Sequence, residues 1–404
     1  MKINIIGAGV SGLFTAIWAK RNGYEVTLFE KNARPARKLM ITGKGRCNVT
    51  NLCSEEEFIK NVVTNGRFLY SAIHAFNSQN TIDFFESQGL KLKLERGNRI
   101  FPQSDKAVDV VDTLINTAKK SGCKFVFGDV TSLITENSAT LGVVCKNKQY
   151  FAGKTVICTG GMSYPLTGST GDGYGLAQQA GHTVTPLKPS LVPLVSDDGL
   201  CAQMQGLSLK NVKIKVKNSQ NKIVFEDFGE LLFTHFGLSG PLILSASGHM
   251  KNIEQCYTVS IDLKPALSEK QLDTRLQKDF LKYSNRDFIN SLGELLPQKM
   301  IEAFVSYTKI PPQLKANQIS KQMRLEIIGA LKNFSVCVKE FRPIDEAIIT
   351  SGGVNVNEIN PKTMGSKISN GLYFAGEVID VDAYTGGFNL QIAFSTGYLA
   401  GQAD

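Results

Sequence analysis

Three glycines and one acid near the N-terminus are the residues best spaced to do chemistry. Gly7, Gly9 and Gly12 sit in Gly7-Ala8-Gly9-Val10-Ser11-Gly12, directly after an apolar run at 3–6, and Glu30 follows Gly12 by eighteen residues. In a strand–turn–helix, Gly7 permits the tight turn, Gly9 lets the backbone approach a pyrophosphate, and Gly12 lets helix and strand pack closely. A helix follows the run, and its free N–H groups and positive dipole end attract that anion, with Val10 and Ser11 as further cofactor contacts. Glu30, at the end of a second strand, is placed to accept from adenosine ribose hydroxyls. The glycines alone are weak evidence; a strand at 3–6, a helix to about residue 22, a strand at 25–29 and the acid together are strong. An acid here favours NAD or FAD over NADP without choosing between them.

That choice comes from the C-terminal end. Residues 371–377 read as a short buried strand closing on Gly376 and Glu377, followed by Asp380, Asp382, Tyr384 and the turn Gly386-Gly387-Phe388-Asn389-Leu390, with helical period to about residue 399. A second helix start suits a flavin, whose pyrimidine edge gains negative charge on reduction. Between the two ends, Arg37, Lys38, Leu39, Thr42, Gly43, Gly45, Arg46, Cys47 and Asn48 form a glycine-rich basic loop suited to a diphosphate and ribityl chain. Arg46 and Asn48 are candidates to reach the ring edge. Cys47 has no partner at CxxC spacing and reads as a small buried filler rather than a redox thiol. A strand at 155–158 ends in Thr159-Gly160-Gly161, bringing backbone to the cofactor. Lys31 and Val130 complete the candidate cofactor contacts. Asp172 reads as an N-terminal helix acid, and no second βαβ unit surrounds Gly168 to Gly175.

These residues need a frame. With 404 residues, 42% hydrophobic and 20% charged, the chain has core enough for two or three domains, discontinuous ones included. The net charge of +9 favours anionic partners but is spread along the chain. Eight cysteines without zinc spacing indicate unpaired thiols in a reducing compartment. No segment reaches membrane-spanning length and the N-terminus lacks a signal-peptide core, so a cytoplasmic, unanchored protein is expected.

The motifs resemble one family from end to end: the YhiN/BaiN-like bacterial FAD-dependent oxidoreductases, often described as aminoacetone-oxidase-like. The resemblance rests on the run from Lys38 through Thr42-Gly43-Lys44-Gly45-Arg46-Cys47-Asn48 to Asn51, on Glu95-Arg96-Gly97-Asn98-Arg99-Ile100-Phe101-Pro102, and on Thr159-Gly160-Gly161-Met162-Ser163-Tyr164-Pro165. Thr234-His235-Phe236-Gly237-Leu238-Ser239-Gly240-Pro241, Thr350-Ser351-Gly352-Gly353 and the C-terminal turn continue it. Lys44 stands where the family usually has arginine. The resemblance implies a Rossmann-type FAD domain of the two-dinucleotide-binding flavoprotein type with an inserted domain. It implies either reduction of an activated C=C bond, with NADH or NADPH as candidate donor, or oxidation of a small amine or alcohol.

The insertion is expected at 191–342, between FAD-domain segments 1–190 and 343–404. Residues 212–217 alternate apolar and lysine as a half-exposed strand does. A β-barrel is expected over about 191–265 and 334–342, with a helical module over about 266–333 broken at Pro297 and Pro311-Pro312. Together they would cap the flavin. Of four histidines, His235 is the first candidate for proton transfer, with Arg46 and Tyr384 as rivals; helix C-terminal charge accounts for His182. No metal-ligand spacing appears, so no metal is expected. A small-molecule substrate is expected. An RNA-modifying flavoprotein is the minority reading, and a flavin-binding protein without turnover a third class. Oligomeric state is not legible.

Overall fold

The computed structural model describes residues 1–250 and 256–402. Residues 251–255 and 403–404, which fall inside the ranges given to the barrel and the C-terminal segment, lie outside the described residues. The chain divides into two compact units, Met1–Ser190 with Ile344–Asp404, and Leu191–Pro343.

The first unit is the Rossmann-type α/β fold that the sequence predicts. Its elements are β1 (Lys2–Ile6), α1 (Val10–Arg21), β2 (Glu25–Glu30), β3 (Lys124–Phe127), β4 (Lys154–Ile157), α2 (Asp172–Gln179), β5 (Leu372–Phe374) and α3 (Phe388–Ala400). The strands form one parallel sheet in the order β5-β4-β1-β2-β3. β1 beyond Lys2 and all of β4 are buried on both faces, as strands of a covered parallel sheet are, with Asn4, Lys154 and Thr155 buried among their apolar residues. α1 and α3 run parallel with backbones close together: a Cβ at Gly397 would lie 2.8 Å from Ser11 O, and one at Gly401 2.8 Å from Thr15 O. Small residues at these positions let the helices approach. A three-stranded antiparallel sheet, Val130–Glu136, Ala139–Cys145 and Lys148–Phe151, also belongs to this unit and was not anticipated from sequence. Its strands are short and half-exposed, so their pattern is weak.

The second unit holds a seven-stranded antiparallel sheet. Its order is Phe334–Val338, Tyr257–Asp262, Ser208–Lys217, Ile223–Thr234, Gly237–Ser239, Leu194–Val195, Glu340–Phe341. The first and last strands are separated only by Lys339, so one bent segment closes both edges. Val212, Ile214 and Val216 are buried while the intervening lysines are not. The sheet's longest strand, Ile223–Thr234, pairs with this alternating one. Helices Glu269–Lys282, Gln298–Thr308 and Lys321–Lys332 make up the helical part. Ser268 and Gln271 form a reciprocal capping box at the first, Pro297 precedes the second, and Ser320 caps the third. Among the described residues no helix is long and apolar enough to cross a membrane.

Candidate functional site

The N-terminal turn has the geometry its glycines require. Gly7 has φ +96° and a Cβ there would lie 2.7 Å from Cys158 O; one at Gly12 would lie 1.8 Å from Gly7 O. Gly9 differs from both: a Cβ there would meet nothing within 4 Å. Gly9 is thus a glycine that the chain's own packing does not need. No side chain caps α1, which leaves its first N–H groups for an anion. Glu30, 7% exposed, has an internal task as well as the one expected of it: Oε2 accepts from Ala8 N at 3.0 Å, and Oε1 from Asn32 N and Nδ2, each at 2.8 Å. It braces the glycine turn from the end of β2. Lys31 pairs with Asp172 at 2.5 Å and also contacts Thr170. Lys31, Val130 and Asp172 line one open cleft.

The basic loop begins as a short helix, Arg37–Ile41, and then turns left-handed. Gly43, Lys44, Gly45 and Cys47 have φ of +56°, +58°, +83° and +60°. Two of these are not glycine, so the loop stores strain that its surroundings must hold. Leu39 is buried and its carbonyl accepts from Thr42 Oγ1 at 2.7 Å; Arg37 Nη1 donates to Asn32 Oδ1 at 3.2 Å. Arg46 was expected at the flavin edge. Its guanidinium lies between Glu95 (2.5 Å) and Asp105, over the Phe101 ring at 4.2 Å. Arg46 holds Glu95 below the usual carboxylate range, and Lys93 with Arg46 does the same for Asp105. The Cys47 thiol is buried and burial pushes its pKa up to about 12, in keeping with a filler.

The C-terminal segment gathers more of the named residues. Glu377 Oε2 is 2.7 Å from Lys38 Nζ, while Oε1 accepts from Thr350 N (3.0 Å) and Ser163 Oγ (3.2 Å). Gly161 must be glycine beside this network, because a Cβ would fall 2.6 Å from Glu377 Oε1 and 2.5 Å from Thr350 Oγ1. Gly160 has φ +75°, and Gly376 N donates to Thr396 Oγ1. Asp380 accepts from Asn65 Nδ2 at 3.2 Å; burial, then the neighbouring Asp382, pushes its pKa up. Asp382 is fully buried and accepts from Ser190 and Ser351. Tyr384 is half-buried and its N–H donates to Asn61 O. Asn389 spends its side chain internally, accepting from Ala383 N and donating to Ala383 O at 2.7 Å. The Phe388 ring is buried against Phe58. Gly386 and Gly387 have φ of +116° and +100°, and a Cβ at Gly387 would lie 2.4 Å from Thr50 C. No side chain caps α3, so this segment offers backbone N–H groups, those of Phe388 and Leu390 included.

The two uncapped helix starts share one direction. α1 begins one residue before Ser11, α3 nine residues before Gly397, and Ser11 touches Gly397. α3 therefore overhangs α1 by about 12 Å at 1.5 Å per residue. That offset suits one extended ligand with an anion at one end and a second electron-rich group further along. Asn48 Oδ1, Thr159 Oγ1 and Tyr174 Oη are buried without a hydrogen-bond partner. These are unmet polar atoms of the kind a hydroxyl-rich chain satisfies. The residues present fit FAD.

His235 belongs to the second unit, in the turn between Ile223–Thr234 and Gly237–Ser239, where it is exposed and edge-on to Phe236. Ser163, Thr350, Asn65 and Tyr174 carry contacts or unmet atoms that sequence reasoning gave no role. Ser163 and Thr350 do lie inside quoted motifs. No group of three metal-ligating side chains exists among the described residues.

A family model described as "HI0933-like protein Rossmann domain" matches residues 1–403. The chain is 29% identical over 407 residues to the 3-dehydro-bile acid delta(4,6)-reductase of Clostridium scindens, covering 100% of this chain and 98% of that one. It is 31% identical over 398 residues to the ribosomal RNA dihydrouridine synthase of Escherichia coli, covering 98% and 96%. Among solved structures it is similar to 3-ketosteroid delta1-dehydrogenase from Sterolibacterium denitrificans, with TM-score 0.54 and 11% identity over 99% of this chain and 98% of that one, a likeness of fold.

Proposed function

This chain belongs to the HI0933-like Rossmann family, whose members are FAD-dependent oxidoreductases, and from that premise we propose that it reduces a carbon–carbon double bond conjugated to a carbonyl group. One observation carries the reading. Relatives matched over nearly their whole length are named for two unlike substrates, a 3-dehydro-bile acid and a uridine of ribosomal RNA, and both names describe saturation of such a bond. The shared chemistry is therefore a better guide than either substrate.

When bound, FAD supplies hydride at its N5 position. The chain's part is to bind and orient. The start of α1, opened by Gly9, holds the pyrophosphate, and Glu30 adds ribose contacts to its bracing role. The loop from Arg37 to Asn48, with Thr159, Gly160 and Gly161, would hold the ribityl chain. The start of α3, which no side chain caps, would offer its backbone N–H groups to the electron-rich pyrimidine edge. Arg46, held by two carboxylates, stays charged and serves to bind rather than to give a proton. His235 and Tyr384 are the candidate proton donors to the substrate carbon. His235→Gln or Tyr384→Phe should cut kcat by about 100-fold or more, the magnitude of one general acid, with flavin content unchanged.

The test is an anaerobic visible spectrum of the purified protein before and after NADH, then NADPH. Bleaching by one nucleotide, followed by recovery of the yellow colour on adding a conjugated enone, is the expected result. Bleaching only by a small amine or alcohol would make oxidation the reaction. A colourless protein that takes up no FAD would end the reading.

A further inference from the structure

We propose that β3, the open edge of the parallel sheet, pairs antiparallel with the β3 of a second copy of this chain across a two-fold axis. The two edges of the sheet differ. Along β5 the edge is closed by residues 364–366: Phe374 N donates to Met364 O at 3.0 Å, Ser366 N donates to Leu372 O at 2.8 Å, and Gly365 forms an antiparallel bridge with Tyr373. β3 pairs with β2 alone. Gly128 N donates to Glu30 O, and alternate residues of a parallel strand face one neighbour, so Val126 turns its N–H and C=O to β2 while Phe125 and Phe127 turn theirs away. Those outward groups have no hydrogen-bond partner among the described residues.

Open edges are ordinarily blunted by proline, a bulge or a charge within the strand. β3 has no proline, stays in unbroken register with β2, and carries no charge between Lys124 and Asp129. Phe127 is 44% exposed, and Phe125 and Val126 are only half-buried. The Phe125 and Phe127 rings stack on one face of the strand, 6.4 Å apart. With the two-fold axis at Val126, each Phe125 stands opposite Phe127 of the second copy. The outward N–H and C=O groups of both copies then pair, and the four rings form one row. Lys124 and Asp129, both exposed and without an ion pair among the described residues, mark the two ends. Antiparallel pairing sets the lysine end of each copy beside the aspartate end of the other, whereas parallel pairing would set like beside like. Because the same patch serves both copies and β5 is already closed, the assembly ends at two.

The experiment is sedimentation equilibrium of the full-length protein as purified, over a concentration series. Monomer should pass to dimer with a dissociation constant on the order of 10 µM, since so short a strand makes a contact of the small class. Lys124→Glu and Asp129→Lys are then made separately. Both side chains are exposed, so melting temperature should match the parent's, and each variant alone should self-associate about 10-fold more weakly or worse, because like charges then meet at both ends. Mixed with each other, the two variants should dimerise as the parent does, since every acid then meets a lysine. Dimerisation of the mixture but of neither variant alone supports the inference. A parent that is monomeric at every concentration, or a mass that climbs past two copies, overturns it. Variants that dimerise as tightly as the parent overturn β3 as the interface, and folded variants that fail to pair in the mixture overturn the antiparallel arrangement. Phe127→Lys tests the same edge independently of the end charges: it puts a charge into the aromatic row and should abolish dimerisation with the melting temperature kept. An undiminished dimer there would again remove β3.

Discussion

Lys38 Nζ lies 2.7 Å from Glu377 Oε2 and 3.0 Å from Oε1, joining positions 339 residues apart in the chain. The pair ties the basic loop to the strand that precedes the C-terminal glycine turn, and both side chains are mostly buried, 24% and 17% exposed. Ser163 and Thr350 complete the carboxylate's partners. Removing the cation leaves Glu377 with neutral donors only. Lys38→Met should therefore cost about 2 kcal/mol, between the value of an exposed pair and that of a fully buried one. Urea unfolding of the FAD-free protein measures this directly. A loss below about 0.5 kcal/mol would show that the two segments are held by other contacts.

Gly9 and Gly12 should respond oppositely to alanine. At Gly12 the new Cβ would lie 1.8 Å from Gly7 O, so Gly12→Ala must move the turn or α1 and should cost several kcal/mol in the FAD-free state. At Gly9 nothing lies within 4 Å, so Gly9→Ala should leave that stability within about 0.5 kcal/mol while weakening FAD retention. Stability by denaturation and flavin content by absorbance separate the two effects. Glu30→Ala is a poorer probe than sequence suggests, because it would also release Ala8 N and Asn32. Retention of FAD by a folded Gly9→Ala or Gly9→Val protein would remove the pyrophosphate from this turn.

What the sequence made legible follows the same logic. Gly7, Gly9, Gly12 and the C-terminal Gly386-Gly387 announce themselves because backbone constraints leave glycine at fixed offsets from strands and helices. The alternation at 212–217 and the breaks around Pro297 are local as well. Partners of Arg46 were not legible: Glu95 and Asp105 lie 49 and 59 residues away, and their ion pairs arise only when the hairpin Leu92–Pro102 meets the loop. A motif arginine beside glycines reads as a ligand contact, and nothing local shows that two carboxylates also engage it. Glu30 and Asn389 were similarly read as facing a ligand, although both use side-chain atoms to hold their own turns. Sequence shows which residue is polar at a special place. It does not show which of its lone pairs are already engaged.

The cysteines should divide by burial. Cys47 and Cys158 are buried at the glycine turns, and burial pushes both thiols up to about 12, so neither supplies thiolate near neutral pH. Cys256 and Cys337 are exposed. Titration of the native protein with an aromatic disulfide at pH 8 should show two fast thiols and a slower one at half-buried Cys53, with the five buried ones reacting only on unfolding. Cys47→Ser should retain flavin and turnover. A fast-reacting Cys47, located by mass spectrometry, would mean that the loop opens in solution and would revive a redox role.

His182 sets a pH dependence that can be separated from those of the acids. Its ring is buried edge-on to Phe374, Nε2 is 2.7 Å from Ser366 Oγ, and Nδ1 is 3.2 Å from Glu358 Oε2 but not aligned to hydrogen-bond with it. Burial draws its pKa below the ordinary 6.5, and Glu358 offsets only part of that. The unfolded chain therefore takes up a proton near pH 6.5 while the native ring stays neutral to lower pH. The stability contributed by this site is complete above 6.5 and is lost as pH falls below it, by at most about 1.4 kcal/mol per pH unit. Asp380, whose pKa burial pushes up, acts with the opposite sign, its cost growing as pH rises. Comparing the parent with His182→Gln between pH 7.5 and 5.5 isolates the histidine. The parent should lose more stability on acidification than the variant; parallel curves would mean that folding leaves the histidine's proton affinity unchanged, and a parent that gains relative to the variant would mean that the folded ring is protonated and paired with Glu358.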